Sequence, residues 1–247
     1  MKRLLISGAN GRMGRMLAQE ASAYGFIVVA GVDKEAGAIG GCPVYAGFPD
    51  VKEEADILID FSSPNNLGGL VDYAVARELP CVLGTTGYTA EDLAHIRKAA
   101  ERIPVFQSPN MSRGVYVLRQ LAAQAAKMLD GFDIEIVEKH HNQKADSPSG
   151  TALALYEAVR KPDSLPVYGR EGVPGKRQAR EIGLHAVRGG TVPGEHEVGF
   201  YGGNEVILLS HSAQSRGVFA SGALAAAAWL PGRPAGLYGM ADLMGTP

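Results

Sequence analysis

The chain has 247 residues, of which 46% are apolar and 20% charged. This composition excludes a disordered or fibrous chain and fits one large or two modest globular domains. The 24 basic and 26 acidic residues give a net charge of −2, which predicts no broad basic face for nucleic acid. Two cysteines cannot form a disulfide framework, and no apolar run approaches the ~18 residues that span a bilayer. We therefore expect a cytoplasmic protein without nucleic-acid or membrane partners.

The first 110 or so residues alternate short apolar runs with segments of helical spacing. The apolar runs are Leu4–Ser7, Ile27–Val32, Ile57–Phe61, Cys81–Leu83 and Val105–Gln107. The helical segments between them are Met13–Tyr24, Leu67–Glu78 and Ala90–Arg102. Strands that alternate with helices in this way predict βαβ units and a parallel sheet.

The pattern changes after residue 110. Helices are predicted at Val115–Leu129, Thr151–Arg160 and Phe219–Leu230, and strands at Asp133–Glu138, Gly183–Arg188, His196–Tyr201 and Glu205–His211. The Gly202-Gly203-Asn204 sequence between the last two strands indicates a hairpin. Residues 161–180, rich in Pro, Gly and charge, are expected to form a long mobile loop. These features predict a second, α+β domain with a largely antiparallel sheet.

A glycine-rich loop, Gly8-Ala9-Asn10-Gly11-Arg12-Met13-Gly14, joins the first strand to the first helix. Its glycines allow a tight turn and the close approach of a pyrophosphate to the helix N-terminus. Asp33, about 20 residues further on, can accept both ribose hydroxyls of NAD, and Lys34 can meet the 2′-phosphate of NADP. The sequence thus predicts NADH, NADPH or both as cofactor; the alternative is a glycine-rich turn without a ligand. The Tyr-x-x-x-Lys pair of short-chain dehydrogenases is missing.

Two later loops follow strands of the same predicted sheet. They contain Gly84, Thr85 and Thr86 in one case and Ser108, Pro109, Asn110 and Met111 in the other. Ligands of such sheets bind beyond the carboxyl ends of the strands, so these residues are candidates for contacts with nicotinamide and its ribose. Ordinary strand-to-helix turns are an equal alternative for each loop. Asp60 fits a loop anchor as well as a site residue.

The densest polar segment runs from Glu138 to Thr151, between a predicted strand and a predicted helix. Ser149, Gly150 and Thr151 lie at the helix N-terminus, which favours a carboxylate or phosphate. The segment also contains titratable donors for proton transfer to an anionic substrate, namely His140, His141 and Lys144. A plain helix cap is the alternative for Ser149 and Thr151. We expect no metal, because adjacent histidines on an extended segment point in opposite directions.

This segment resembles the signature of the dihydrodipicolinate reductase family. The matching residues are Glu135-Ile136-Val137-Glu138, His140-His141, Lys144, Asp146 and Pro148-Ser149-Gly150-Thr151-Ala152. The likeness covers essentially the whole chain, including Arg188-Gly189-Gly190, Gly194-Glu195-His196, His211 and Ser215-Arg216. The chain departs from the family pattern at Met111, Asn142, Gln143 and Ser147, which leaves the chemistry intact but can alter substrate affinity and nicotinamide packing.

The resemblance implies NAD(P)H-dependent reduction of a cyclic imine dicarboxylate in lysine and diaminopimelate biosynthesis. It implies that His140 and Lys144 exchange protons, while His141, Lys144, Ser149, Gly150 and Thr151 hold carboxylates. The cofactor residues implied are Gly8 to Met13, Asp33, Lys34, Gly84 to Thr86 and Ser108 to Met111. The expected domains are a Rossmann-like dinucleotide domain (1–111 and 217–247) and a smaller substrate and homotetramerisation domain (112–216).

Two other interpretations remain open. One is a different nicotinamide-dependent dehydrogenase acting on a small amino or keto acid, whose relatives lack the His-His to Ser-Gly-Thr segment. The other is a non-catalytic NAD(P)-sensing module, which would need no proton-transfer residues.

Overall fold

The alternating apolar runs of the first part of the chain form a parallel sheet. The structure, a computed structural model, describes residues 1–172 and 175–245. Strands of this part are β1 (Lys2–Ser7), β2 (Phe26–Val32), β3 (Gly37–Ile39), β4 (Cys42–Tyr45), β5 (Ile57–Asp60), β6 (Cys81–Leu83) and β7 (Pro104–Gln107). The helices between them are α1 (Arg12–Glu20), α2 (Leu67–Ala76) and α3 (Ala90–Ala100).

The later elements belong to two different units. Elements of the middle of the chain are α4 (Arg113–Met128), β8 (Asp133–His140), α5 (Gly150–Val159), β9 (Leu165–Tyr168), β10 (Glu181–Arg188), β11 (Glu195–Tyr201) and β12 (Val206–Ser212). Those of the tail are α6 (Gly217–Trp229), β13 (Gly236–Tyr238) and α7 (Met240–Met244). The first unit comprises Met1–Ser112 and Gly217–Pro247, and the second Arg113–Arg216. Among the described residues, no helix combines the length and apolarity needed to cross a bilayer.

The first unit contains a sheet in the order β13-β7-β6-β5-β1-β2-β4-β3. Its neighbouring strands run parallel, except that β3 is antiparallel to β4. Leu4, Leu5 and Ile6 of β1 are fully buried, because helices cover both faces of a parallel sheet. The predicted α/β class, with a Rossmann-like parallel sheet and a second, smaller sheet, is confirmed.

The alanine-rich tail helix belongs to this first unit. Helix α6 packs against α1, β5 and β6, and its Ala223, Ala226 and Ala227 are fully buried. Small side chains let a helix approach its neighbours closely, which accounts for an apolar helix with alanine on nearly every side.

The second unit contains a sheet in the order β12-β11-β8-β10-β9. Strand β10 is parallel to β8 and β9, whereas β11 is antiparallel to β8 and β12. The prediction of a largely antiparallel sheet was therefore wrong, because a chain that returns through helix α5 places its next strands parallel to β8. The prediction of a loop over residues 161–180 was also wrong in part, since Leu165–Tyr168 forms β9. Val173 and Pro174 of that segment lie outside the described residues.

The two faces of the second sheet differ. Helices α4 and α5 cover one face, where Leu118, Ile136, Leu155 and Phe200 are buried in one cluster. Strand pairing places apolar residues on the opposite face, which we call the open face: Val187, Tyr201, Val206 and Leu208. All four are more than one third exposed.

Candidate active site

The loops that leave the first sheet lie side by side at one edge. Each begins with an N–H group that donates to the last residues of a neighbouring strand: Gly8 to Val32, Phe61 to Ser7, Gly84 to Asp60 and Ser108 to Leu83. This edge holds the carboxyl ends of the parallel strands, where doubly wound sheets bind nucleotides. The structure thus brings together the three loops that the sequence predicted for the cofactor.

The loop between β1 and α1 requires glycine at two positions. Gly8 has a φ of +79°, and a Cβ at Gly14 would lie 2.3 Å from the Gly8 carbonyl oxygen. The backbone at the start of α1 is therefore packed directly on the loop. Gly11, the N-cap of α1, provides no side-chain cap, so backbone N–H groups are left for an anion. This arrangement fits the pyrophosphate of a dinucleotide.

Asp33 follows β2 and is fixed beside this loop. Its carboxylate accepts hydrogen bonds from the backbone N–H groups of Asn10 and Lys34, both at 2.8 Å. Each carboxylate oxygen keeps a further lone pair, so the group can still accept ribose hydroxyls. Lys34 is exposed next to it. Both residues therefore lie beside the glycine-rich loop, and their roles toward the ribose of a cofactor stay predictions.

Thr85 is held by Asp60, for which the sequence analysis left open a role as loop anchor or site residue. The buried Asp60 carboxylate accepts hydrogen bonds from the hydroxyl groups of Thr85 and Ser62, each at 2.6 Å. Asp60 thus anchors two strand-end loops, and the Thr85 hydroxyl is committed to it. Thr86 is exposed and remains the better candidate for ligand contact.

The loop after β7 is held by its own side chains. The buried Ser108 hydroxyl donates to the carbonyl of Asn110 at 2.7 Å, and the side-chain oxygen of Asn110 accepts from the N–H of Ser112. Met111 is buried, whereas Pro109 is exposed. These contacts shape the loop, and the predicted roles of its residues toward a cofactor stay predictions.

A buried carboxylate organises the polar segment of the second unit. Glu138 is only 1% exposed. It accepts two hydrogen bonds from the Arg188 guanidinium at 2.7 Å, one from the N–H of Ser149 at 2.9 Å, and pairs with Nδ1 of His140 at 2.5 Å. Burial alone would raise the pKa of Glu138, but hydrogen bonds from Arg188, His140 and Ser149 hold it below its usual value.

Two histidine rings lie against this carboxylate. His140 and His196 meet edge to face, with ring centroids 5.1 Å apart, and Nε2 of His196 is 3.0 Å from the Ser149 hydroxyl. Burial, followed by the nearby His140, lowers the pKa of His196 to about 4, so this imidazole is neutral at physiological pH. The Ser149 hydroxyl also caps α5 by accepting from the N–H of Ala152.

Cations surround the adjacent segment. The Lys144 ammonium pairs with Asp146 at 2.8 Å, and its hydrogen bond to Asp146 lowers the pKa of that carboxyl. Nε2 of His141 is 3.2 Å from the Arg216 guanidinium. Gly150 and Thr151 begin α5; Gly150 is exposed and Thr151 is half-buried. The arrangement can receive an anion and exchange protons with it.

The sequence analysis assigned no site role to Glu138, Arg188 or Arg216 and favoured a strand-packing or hydrogen-bonded role for His196, although all four lie in segments that it singled out. The signal for Glu138 was available, because residues two apart in a strand share a face and His140 is its neighbour at that spacing. Arg188 and His196 reach the cluster through β10 and β11. Their positions follow from strand pairing, which a single sequence does not reveal.

Family models match nearly the whole chain. The model described as dihydrodipicolinate reductase, N-terminus matches residues 2–111, and the model described as dihydrodipicolinate reductase, C-terminus matches residues 114–244.

Individual relatives agree with this match. A 4-hydroxy-tetrahydrodipicolinate reductase of Caldanaerobacter subterraneus is 52% identical over 99% of this chain and 98% of the relative. One of Clostridium tetani is 45% identical over 97% and 96%. Among solved structures, a dipicolinate-bound dihydrodipicolinate reductase from Paenisporosarcina sp. TG-14 has the same fold, with a TM-score of 0.75 at 24% identity and 98% coverage of both chains. The chain belongs to the dihydrodipicolinate reductase family.

Proposed function

We propose that this protein is an NAD(P)H-dependent 4-hydroxy-tetrahydrodipicolinate reductase that forms tetrahydrodipicolinate for lysine and diaminopimelate biosynthesis. The observation that carries the proposal is that His140, Lys144 and the start of α5 lie in one short polar segment of the second unit. The family supplies the substrate class, and the cations of this segment suit a small dicarboxylate.

The first unit is proposed as the dinucleotide-binding domain. The Gly8–Gly14 loop and the start of α1 would hold the pyrophosphate, and Asp33 the adenosine ribose. Lys34 adds a positive charge that offsets the repulsion between Asp33 and a 2′-phosphate, so both NADH and NADPH are expected to serve. The bound cofactor supplies the hydride that reduces an unsaturated ring carbon.

The second unit is proposed as the substrate domain. Backbone N–H groups at Gly150 and Thr151, the Thr151 hydroxyl and the positive charges of Lys144 and Arg216 would hold the two carboxylates. His141, which lies beside Arg216, would assist in binding the carboxylates. His140 and Lys144 would deliver a proton to the ring nitrogen or adjacent carbon as negative charge develops there. Because its hydroxyl caps α5, Ser149 contributes mainly by fixing the start of that helix.

The second unit is also proposed to carry the homotetramer interface. The open face, which α4 and α5 do not cover, carries the exposed apolar residues Val187, Tyr201, Val206 and Leu208 among charged ones such as Glu135 and Lys139, and exposed apolar residues of this kind can contribute to association surfaces. The expected cytoplasmic location stays a prediction.

A coupled assay tests the proposed reaction. A synthase combines pyruvate with aspartate semialdehyde in situ, and the oxidation of NADH or NADPH is followed at 340 nm. We expect oxidation that requires the synthase and both of its substrates. Oxidation that does not require the synthase but depends on another amino or keto acid would favour a different dehydrogenase. Binding of NADH or NADPH without its oxidation would favour a sensing module.

A further inference from the structure

Glu138 and His140 form a buried carboxylate–imidazole pair on one face of β8. The Glu138 Oε2 to His140 Nδ1 distance is 2.5 Å, and the two side chains are 1% and 10% exposed. An ionised carboxylate can only accept a hydrogen bond, so the proton between the two atoms belongs to Nδ1. In the neutral imidazole this leaves Nε2 without a proton.

The partners of Glu138 keep it ionised and fixed. Arg188 donates to both carboxylate oxygens in a fork, and the N–H of Ser149 donates to Oε1. A bidentate guanidinium both orients a carboxylate and stabilises its charge. The lowered pKa of Glu138 agrees with this geometry. Each oxygen of Glu138 thus accepts hydrogen bonds from at least two donors. An uncharged side chain, or a carboxylate in another orientation, would leave some of these donors without an acceptor.

The other ring nitrogen of His140 faces a glycine. A Cβ at Gly194 would lie 3.0 Å from His140 Nε2, which is tighter than most Cβ contacts in proteins. Gly194 has a φ of +158°, at the edge of the region that favours glycine. The absence of a side chain at this position leaves space next to Nε2, the nitrogen that would exchange a proton with a ligand.

We propose that Glu138, supported by Arg188, is a positioning residue that holds His140 in the Nδ1–H tautomer, so that Nε2 is the atom that takes up a proton and, in the imidazolium form, donates it to the ligand. The catalytic part of this proposal rests on the proposed reductase function, whereas the tautomer does not depend on it. Glu138 acts through His140, because its own oxygens are occupied by Arg188, Ser149 and His140.

The variant Glu138→Gln separates this role from simple packing. The amide oxygen would take the position of Oε1, where Ser149 and Arg188 both donate. The amide NH₂ would then face Nδ1 of His140, which must become an acceptor with its proton on Nε2. The substitution therefore keeps the shape of the side chain and inverts the tautomer, while the Arg188 Nη1–H that donates to Oε2 loses its acceptor.

Nitrogen-15 NMR of histidine-labelled protein reads the tautomer directly. The His140 signals are assigned by their loss in His140→Gln, and the pH is raised until the ring is neutral. Glu138 and His196 contact the ring, and the charged or titratable groups next to these two are Arg188, Lys144 and His211. We expect Nδ1–H in the wild-type protein and Nε2–H in Glu138→Gln. A neutral wild-type His140 with its proton on Nε2 would overturn the proposal, even if the variant failed to fold.

Kinetics provide the second readout. Glu138→Gln is expected to lower kcat by about a hundredfold, with the Kd for NADH within about twofold of wild type. The matched control is Glu157→Gln, which makes the same change in an exposed ion pair with Arg160 on α5 and should leave kcat unchanged. A folded Glu138→Gln protein with wild-type kcat would refute the positioning role. If the wild-type protein lacked reductase activity but showed the Nδ1–H tautomer, the proposed function would fail and the tautomer assignment would stand.

Discussion

Lys144 is proposed to donate a proton to the substrate, and this role can be distinguished by experiment from that of a structural ion-pair residue. Its ammonium group pairs with Asp146, which is 60% exposed, and such exposed pairs contribute little to stability. If Lys144 donates a proton or stabilises developing charge, Lys144→Ala should lower kcat by about a hundredfold. The Kd for NADH, measured by fluorescence titration, should stay near normal because Lys144 lies in the second unit.

A control variant makes the same truncation elsewhere in that unit. Lys161 forms an exposed ion pair with Asp130, and Lys161→Ala should leave kcat unchanged. If Lys144→Ala instead kept its turnover and only its melting temperature fell, Lys144 would be a structural ion-pair residue.

Thr151 tests whether the start of α5 holds a carboxylate. Pyridine-2,6-dicarboxylate, a planar ring diacid without a reducible bond, should compete with substrate. Thr151→Val keeps the side-chain shape but removes the hydroxyl, and should weaken inhibition by the diacid by about five- to thirtyfold, or 1–2 kcal/mol. Inhibition constants for both proteins give the answer.

A monoacid provides the control for this site. Picolinate lacks one of the two carboxylates and should inhibit much less than the diacid, and NADH affinity should be equal in both proteins. If the two acids inhibited equally, or if the inhibition constant of the diacid were unchanged in Thr151→Val, Thr151 would have no role in carboxylate binding and would serve only to begin the helix.

The candidate site could be predicted from the sequence only where its members are local. His140, His141, Lys144 and the start of α5 lie within a dozen residues and share one segment. Arg188, by contrast, contacts Glu138 although the two residues are 50 positions apart in the sequence. Which distant strands pair depends on the packing of the whole sheet, so this contact leaves no local pattern to recognise.

The loop between β1 and α1 is the element on which cofactor binding most depends. In Gly14→Ala the new Cβ would meet the backbone of Gly8 and Ala9 at 2.3–2.7 Å, so the loop or the helix must shift. We expect NADH to bind at least about tenfold more weakly, a loss of about 1.4 kcal/mol, by fluorescence titration.

Gly68 provides the matched control within the same unit. It lies in α2, and a Cβ there meets nothing within 4 Å. Gly68→Ala should leave NADH affinity unchanged and raise the unfolding free energy by about 0.5–1 kcal/mol. NADH affinity that fell equally in both variants, or in neither, would contradict the special role of the loop.

Elements were predictable where the hydrophobic pattern was long and followed by clear turn residues. In the first unit, strands β1, β2, β5, β6 and β7 and the helices α1, α2 and α3 were predicted in this way, and their parallel arrangement follows from the alternation of the two types. Short edge strands such as β3, β9 and β13, with three or four residues each, have too few positions for a periodic pattern. Their strand geometry comes from pairing with a longer neighbour.

The open face of the second unit is the proposed surface for self-association. Leu208 is 53% exposed in the middle of β12, and a carboxylate there would be buried without a partner in a sheet-to-sheet interface. If the proposed tetramer forms through this face, Leu208→Asp should convert it to smaller species in analytical ultracentrifugation. Met128→Asp, at a methionine that is 83% exposed on α4, should leave the assembly intact. A tetramer that survives Leu208→Asp would require an interface elsewhere.

Hydride transfer from a nicotinamide to a cyclic dicarboxylate is the reaction on which the proposed function depends. The most direct test supplies NADH carrying deuterium at both C4 positions to the wild-type enzyme with synthase-generated substrate, and analyses the product by mass spectrometry. We expect tetrahydrodipicolinate with one deuterium on a ring carbon for each NADH oxidised. A product without deuterium, or a reduced compound that is not a cyclic diacid, would contradict this account.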